Sequence, residues 1–361
     1  MPAPLSETLR LILTDGGPGQ CIFPINNACN AACGFCNFNR DALPRPDWKF
    51  ADLEGSKKAA DILYANGIHY LVITGGEPMM HPHLHEICAH AAKIGMTVLL
   101  VTNGSLLNPD SCRKLKENGV SSVFISIDSH DTESHEANRG LPKVLERVKI
   151  ANAEFKRLGV QSTASVTMSR LVKDYARLPA FLRSLGFEAV TFSYPLIHLN
   201  SSFLGYKDSD LVNLSNQELD AAFTAVESLR RDFTVVNPTA SIDDMRSLLQ
   251  GRPQSYDCLG GYKYFYLDWD LRIWRCHHWE TPIGSIFDFD ASKRVRDGCQ
   301  KCMIDCMRDP SVMQHAAVAL SDGLALAGKG RLIEAARTMF NRKTAASVAS
   351  SADQWRWIMG L

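Results

Sequence analysis

The feature that most constrains the fold is a regular alternation of short apolar segments and helical patterns between about residues 19 and 195. Six segments with strand character lie at 20–26, 70–74, 97–102, 122–127, 161–168 and 189–193. Helical patterns at 51–65, 83–94, 109–117, 143–158 and 175–185 separate them, each followed within two residues by a glycine. Continuous apolar strands between helices are typical of parallel sheets. The sequence therefore predicts an α/β fold, a partial (β/α)6 TIM-like barrel, with its chemistry on loops at the carboxyl ends of the strands.

The remainder of the chain predicts three further parts. Residues 1–197 form the barrel, and 198–257 form a connecting segment that would cover the barrel mouth, with helices near 216–230 and 243–249. Residues 258–310 are rich in cysteine and aromatic residues and predict a small α+β module. Residues 311–361 predict a helical tail, in which 345–351 is expected to be a small-residue linker.

Charge and cysteine content exclude several classes of protein. The formal net charge is zero, which disfavours nucleic acid as a partner. Eleven cysteines, an odd number grouped mainly at the two ends, fit a disulfide scaffold poorly. The first twenty residues lack the apolar core of a signal peptide, and no apolar run of about 18 residues predicts a membrane span. We therefore expect a cytoplasmic protein whose grouped cysteines bind metal.

One group of cysteines directly follows the first predicted strand. Cys29, Cys33 and Cys36 form a C-x3-C-x2-C pattern on a loop at the barrel mouth. Three thiolates from one short turn can hold an iron–sulfur cluster and leave one iron open to another ligand. From the spacing alone, a zinc site or an ordinary ferredoxin-type cluster remains possible.

With Phe35 as its aromatic position, this motif resembles that of the radical S-adenosylmethionine (SAM) superfamily. The resemblance implies a 4Fe–4S cluster on the three cysteines, with the amine and carboxylate of SAM on the fourth iron and Phe35 near the adenine. It also implies reductive cleavage of SAM to a 5′-deoxyadenosyl radical. Gly75, Gly76 and Glu77 end the second strand and resemble the family's GGE segment, which holds the methionine amino group.

Polar residues at the ends of the later strands extend this resemblance. In the family, equivalent positions contact the ribose or methionine carboxylate of SAM, or the adenine, and here they are Asn103, Ser126, Asp128, Ser165, Arg170 and Tyr194. Arg170 resembles a carboxylate clamp, because a guanidinium suits bidentate binding. Asn and Asp are also common turn residues, and Arg170 could equally be a surface arginine. The interpretation as SAM contacts rests on the order of these residues along successive strands.

A second cysteine group predicts a second metal site. Cys258 and Cys276 flank a predicted hairpin with its turn at 268–270, and Cys299, Cys302 and Cys306 follow. Structural zinc is one interpretation of this spacing. The arrangement also resembles the Twitch module, the short relative of the SPASM domain, which implies a second, auxiliary 4Fe–4S cluster. Cys306 departs from the four-cysteine pattern and either replaces a ligand or is a remnant of the longer SPASM series.

The resemblance implies an oxidoreductase that acts on a small molecule. The auxiliary cluster would accept the second electron of the oxidation of a polyol, aminocyclitol or nucleoside-like compound. A flavodoxin or ferredoxin would supply the reducing electron, and His198, Arg275 and His277 are the candidate catalytic side chains.

Two alternatives stay open. The first is a SPASM-type enzyme that modifies peptides, although about twenty residues before the first strand leave little room for a leader-binding domain. The second is a non-catalytic iron–sulfur or zinc protein.

Overall fold

A computed structural model describes residues 5–195, 209–276 and 279–359. In this part of the chain, ten strands form one sheet. Their bounds are β1 Gly19–Pro24, β2 Ile68–Thr74, β3 Thr97–Thr102, β4 Val120–Ile127, β5 Gln161–Thr167, β6 Ala189–Ser193, β7 Thr234–Val235, β8 Tyr264–Leu267, β9 Arg272–Trp274 and β10 Gly284–Ser285.

Helices follow most of the strands and complete the βα units. Their bounds are α1 Leu5–Asp15, α2 Leu53–Ala65, α3 Leu84–Lys93, α4 Pro109–Glu117, α5 Thr132–Arg139, α6 Val144–Leu158, α7 Leu178–Ser184, α8 Asn216–Leu229, α9 Thr239–Leu249, α10 Asp305–Gly328, α11 Leu332–Met339 and α12 Arg342–Met359. Among the described residues, no helix combines the length and apolar character needed to cross a membrane.

The sheet confirms the predicted partial barrel. Strands β1 to β6 pair in sequence order and all in parallel, and each of the six predicted strands lies within two residues of its observed bounds. The full order is β10-β9-β8-β1-β2-β3-β4-β5-β6-β7. Parallel pairing places the carboxyl ends of six strands at one edge, where the loops that follow them meet.

The two faces of the sheet differ in burial. On β4, Val123, Ile125 and Ile127 are fully buried in the main core, and the residues between them are half-buried. The same alternation occurs on β3. Because side chains alternate across a strand, one face packs under the helices and the other is left for the site.

The cysteine-rich hairpin is continuous with the barrel sheet. Its first strand, β8, pairs in parallel with β1, with Gln20 opposite Tyr264, and β9 then pairs antiparallel with β8. The hairpin was predicted from its turn at 268–270, but its pairing with β1 was not, because the two strands are more than 240 residues apart in sequence. The pairing fixes the orientation of the second cysteine group relative to the first.

The C-terminal tail differs from its prediction. The expected linker at 345–351 is wrong, because these residues lie inside α12. Ser347 and Ser351 are buried, and the Ser347 hydroxyl donates to the Val312 carbonyl of α10 at 2.6 Å. Small residues here let two helices approach closely, which is an alternative meaning of a run of Ala and Ser. Helices α1 and α5 were also missing from the prediction.

A buried ion pair joins the tail to the rest of the molecule. The side chains of Arg308 on α10 and Asp244 on α9 are 0% and 1% exposed and are hydrogen-bonded to each other. The same guanidinium donates to the carbonyl of Tyr256 at 2.7 Å. A buried charge whose partner is removed is strongly destabilising.

We predict that Arg308→Met lowers the free energy of unfolding by about 3–5 kcal/mol, because Asp244 would remain buried without its cation. The control is Lys156→Met, which breaks the pair with Glu188, whose side chains are 78% and 62% exposed. That change should cost far less stability than Arg308→Met, because solvent screens an exposed pair. Anaerobic urea unfolding measures both values, and equal losses would contradict the assigned role of Arg308.

Candidate functional site

The loop that follows β1 carries the first three cysteines. Cys29 and Cys33 are 7% exposed, and Cys36 is half-buried. Backbone N–H groups donate to two of the sulfurs, from Ala31 to Cys29 and from Phe38 to Cys36, each at 3.4 Å. Such donors favour thiolate ligands.

The chemistry of this loop fits an iron–sulfur cluster. Burial raises the pKa of Cys29 to about 11 and that of Cys36 to about 12, so that metal binding must displace their protons. The three thiols also influence one another electrostatically, as neighbours on one short turn must. Within the described ranges, no three Cys, His or carboxylate side chains already surround a metal position. The loop fits a cluster because its three thiols share one buried turn and two of the sulfurs accept from backbone N–H groups.

The glycines after β2 bring two loops together. The N–H of Gly76 donates to the carbonyl of Asn26 at 3.0 Å, and the N–H of Glu77 donates to that of Ala28 at 2.7 Å. A Cβ atom on Gly76 would lie 2.2 Å from the Ala28 oxygen, and Gly75 has φ of +152°. The glycines are thus required for backbone contact with the residues just before Cys29.

Glu77 joins the same loop to the end of β3. Its buried carboxylate accepts from the Thr102 hydroxyl and the Asn103 N–H, both at 2.7 Å, and from the Met79 N–H at 3.0 Å. Burial raises the pKa of Glu77 even though these hydrogen bonds favour its ionised form. The structure shows Glu77 as a bridge between two loops, and its contact with the amine of SAM stays a prediction.

Asn103 extends the bridge to the cysteine loop. Its side-chain amide donates to the Asn30 side chain at 2.9 Å, and lies 3.9 Å from the Cys29 sulfur. Asn30 in turn donates to the hydroxyl of Ser105 at 2.8 Å. The residue predicted to contact SAM therefore lies directly beside the first cysteine.

Asp128 faces a helix that the sequence analysis missed. Its fully buried carboxylate accepts from Asn138 at 2.8 Å and from Arg139, both on α5. Burial opposes ionisation, but Arg139 and His135 outweigh it, so the pKa of Asp128 lies below its usual range. Two signals could have revealed α5: Asp131 caps its first turn, and Gly140 at φ +58° ends it.

The remaining predicted SAM contacts lie on β4, on β5, directly after β6 and, for Phe35, on the cysteine loop. Ser126 and Ser165 are direct partners on β4 and β5, both half-buried. Phe35 is buried. Tyr194 is buried too, and its ring packs edge-on against Phe223 at 5.0 Å.

Arg170 already has protein partners. Its guanidinium forms an ion pair with Glu218 at 3.0 Å and donates to the carbonyls of Asp210 and Asn213. It ties the start of α8 to the loop after β5, and its predicted contact with a SAM carboxylate would have to compete with Glu218.

Of the three candidate catalytic side chains, only Arg275 lies within the described residues. His198 and His277 lie outside the described residues. Arg275 is 2% exposed and forms a bidentate ion pair with Asp297, while its Nε donates to the Gly260 carbonyl at 3.1 Å. Its guanidinium braces the segment beside the second cysteine group, so the expectation that it faces the barrel mouth as a catalytic group is not supported by these contacts.

Four cysteines of the second group line a small cavity. Cys258, Cys276, Cys299 and Cys302 line a space of about 190 Å³, together with Arg275 and Lys301. The N–H of Cys258 donates to the Cys299 carbonyl at 2.9 Å, which holds the two cysteine segments together. Cys306 interacts electrostatically with Cys276 and Cys302, but it does not line the cavity.

Two carboxyl groups on the first turns of α10 approach the end of β6. Asp305 accepts from the Ser193 hydroxyl at 3.2 Å, and Asp309 accepts from Asn237 at 2.6 Å and from Ser241. Both residues are partly exposed, but their carboxyl groups are surrounded by protein. Burial raises the pKa of Asp305 to about 6 and that of Asp309 to about 7. Sequence reasoning missed both.

We predict that Gly76→Ala abolishes iron binding at Cys29, Cys33 and Cys36, because its Cβ would meet the Ala28 carbonyl at 2.2 Å. Gly159→Ala is the matched control, since that position has φ of +63° and open space around it. The control should cost about 1–2 kcal/mol of stability and bind iron normally. Iron analysis after anaerobic reconstitution, with circular dichroism to confirm folding, tests this. Normal iron content in folded Gly76→Ala would contradict it.

We predict that Asp309 makes stability fall as pH rises through about 7. An unfolded Asp ionises near pH 4, so the raised folded pKa favours the folded state at low pH, and this contribution is lost above the folded value. The stability of Asp309→Asn relative to wild type should therefore increase progressively from pH 4 to pH 8, as measured by anaerobic thermal unfolding. Glu54→Gln, at a side chain 76% exposed, is the control. A difference in stability between Asp309→Asn and wild type that does not change with pH would refute the prediction.

Comparison with known proteins agrees with this geometry. A family model described as the radical SAM superfamily matches residues 23–175. The AdoMet-dependent heme synthase of Nitratidesulfovibrio vulgaris is 30% identical over 160 residues, which cover 44% of this chain and 43% of the relative. The chain thus spans less than half the length of that relative. The PqqA peptide cyclase of Xanthomonas axonopodis pv. citri is 24% identical over 279 residues, covering 75% of this chain and 71% of the relative.

Solved structures share the fold over most of the chain. The structure of anSMEcpe with bound AdoMet has a TM-score of 0.55 at 14% identity and covers 95% of this chain and 98% of its own. Streptococcus suis SuiB bound to S-adenosylmethionine also has a TM-score of 0.55 at 14% identity, over 75% of this chain and 63% of its own. With the three-cysteine loop after the first strand of a partial barrel, residues 23–175 of this chain belong to the radical SAM superfamily.

Proposed function

We propose that this protein is a radical SAM oxidoreductase that uses a second 4Fe–4S cluster, bound by the cysteines of the 258–302 module, to complete a two-electron oxidation. The observation that carries the proposal is the set of four cysteines around one cavity. Four thiols are the usual ligand set of a 4Fe–4S cluster. Structural zinc uses the same ligands and is the competing interpretation.

The position of the cavity supports a redox role. The cysteines flank β8 and β9, and β8 is hydrogen-bonded to β1, the strand that leads into the Cys29 loop. The two metal sites would therefore be held by one continuous sheet. Since the substrate radical would form at the first site and lose its electron to the second, a rigid connection between the two sites suits this transfer better than a flexible linker.

The proposed oxidation would remove two electrons from the substrate. A 4Fe–4S cluster with SAM supplies a 5′-deoxyadenosyl radical when both are bound. Transfer of a hydrogen atom from substrate to that radical breaks one C–H bond and leaves a substrate radical. Loss of a proton to a base, and of one electron to a second cluster that Cys258, Cys276, Cys299 and Cys302 would hold, would then complete the oxidation. The proposed reductant that starts each cycle is a flavodoxin or ferredoxin.

The substrate class has two candidates. A small polyol, aminocyclitol or nucleoside-like compound follows from the resemblance of the second module to Twitch. A peptide is the second candidate, because the match to the PqqA peptide cyclase covers 75% of this chain and so extends well beyond the radical SAM domain. Either kind of substrate is compatible with the proposed oxidation, because the proposal specifies only how the electrons leave the substrate.

We predict that replacing Cys258, Cys276, Cys299 and Cys302 together with alanine halves the iron content, from about eight to about four atoms per chain. Dithionite with SAM should still give 5′-deoxyadenosine, because the Cys29 loop is untouched. Replacing Cys29, Cys33 and Cys36 should remove that product and leave the other four irons. Liquid chromatography and iron and zinc analysis of anaerobically reconstituted protein measure these outcomes.

The control is Cys112→Ala, a buried cysteine of α4 far from both groups in sequence, which should change neither iron count nor product. Zinc in place of iron at the second site would overturn the proposed oxidation but leave radical SAM chemistry intact. Once a substrate is found, full turnover by the four-cysteine variant would have the same consequence.

A further inference from the structure

The carboxyl end of α5 is docked against the cysteine loop. The N–H of Ala32 donates to the Arg139 carbonyl at 2.8 Å, and the N–H of Gly34 donates to the Asn138 side chain at 3.1 Å. A Cβ atom on Gly140 would lie 3.1 Å from that of Ala32. Residues between Cys29 and Cys36 are thus held from outside their own loop.

The Arg139 side chain is buried beside the same loop. The residue is 6% exposed, and its one charged partner among the described residues is Asp128. Its Nε is buried without a hydrogen-bond partner. A buried guanidinium donor that is left unpaired is costly, which indicates that a further negative group belongs next to it.

The three-cysteine loop is in direct contact with the residues that form this ion pair. The Arg139 carbonyl accepts from the N–H of Ala32, which lies between Cys29 and Cys33. Asn138 accepts from the N–H of Gly34 and donates to Asp128, the ion-pair partner of the guanidinium. As ligands of a cluster, the thiolates of this loop would supply negative charge next to the buried guanidinium.

We propose that Arg139 is a positioning residue that holds the cysteine loop through its backbone carbonyl and raises the reduction potential of the bound cluster through its guanidinium. Reduction adds a negative charge to a cluster, and a nearby positive charge in a buried site favours the reduced form. Asn138 holds the loop without charge, and Asp128 limits the effect of the guanidinium. The inference rests on the radical SAM site alone and is independent of the proposed second cluster.

The test compares charge with geometry at these three positions. Redox titration followed by electron paramagnetic resonance gives the midpoint potential of the cluster whose signal changes when SAM is added, which separates it from any second cluster. Arg139→Gln should shift this midpoint to more negative values, and Arg139→Lys should stay close to wild type. Asp128→Asn removes the counter-charge and should shift the midpoint in the opposite direction.

Asn138→Ala is the control for loop geometry. It should leave the midpoint unchanged but release iron to a chelator several-fold faster than wild type, because Gly34 loses its acceptor. A wild-type midpoint in iron-loaded Arg139→Gln overturns the proposal. If Arg139→Gln does not retain its cluster, Asp128→Asn decides: a positive shift supports the electrostatic role, and an unchanged midpoint with normal iron overturns it.

Discussion

The site depends on the close approach of two backbones at the mouth of the barrel. The residues that end β2 lie directly on the residues that precede Cys29, with N–H to carbonyl distances of 2.7 to 3.0 Å. No side chain fits between them, because a Cβ on Gly76 would overlap a carbonyl oxygen. Backbone hydrogen bonds in a buried position need partners, and here each loop supplies the partners of the other. The three-cysteine loop is thereby held against a neighbouring strand end.

A set of buried polar contacts extends this arrangement around the mouth. Glu77 links the β2 loop to β3, Asn103 links β3 to the cysteine loop, and Asp128 links β4 to α5. Each strand end is therefore bonded to a neighbour rather than left to solvent. Networks of this kind are stabilising only when nearly every group is satisfied. The unpaired Nε of Arg139 is an exception in this network, and the carbonyl of the same residue binds the three-cysteine loop.

Much of the molecule could be predicted because its signals are local. The strands of the barrel follow from apolar runs separated by helical patterns, and Cys29, Cys33 and Cys36 follow from spacing within eight residues. Helix α5 escaped prediction because it is short and polar, with two buried residues, although its cap and terminal glycine were visible. The expected linker at 345–351 was wrong because small residues serve equally well for flexibility and for close packing of helices.

The sequence by itself determined the chemistry that is available: three thiols on a turn after a strand, glycines after the next strand, and a second cysteine group at the end of the chain. It could do so because residue type and short spacing decide which ligands a turn can present. Only the tertiary structure decided what each polar side chain faces. Arg170 forms an ion pair with Glu218, and Asp128 forms one with Arg139. Strand β8 pairs with β1, from which it is separated by more than 240 residues in sequence. Such pairings depend on the three-dimensional path of the chain, which local patterns do not encode.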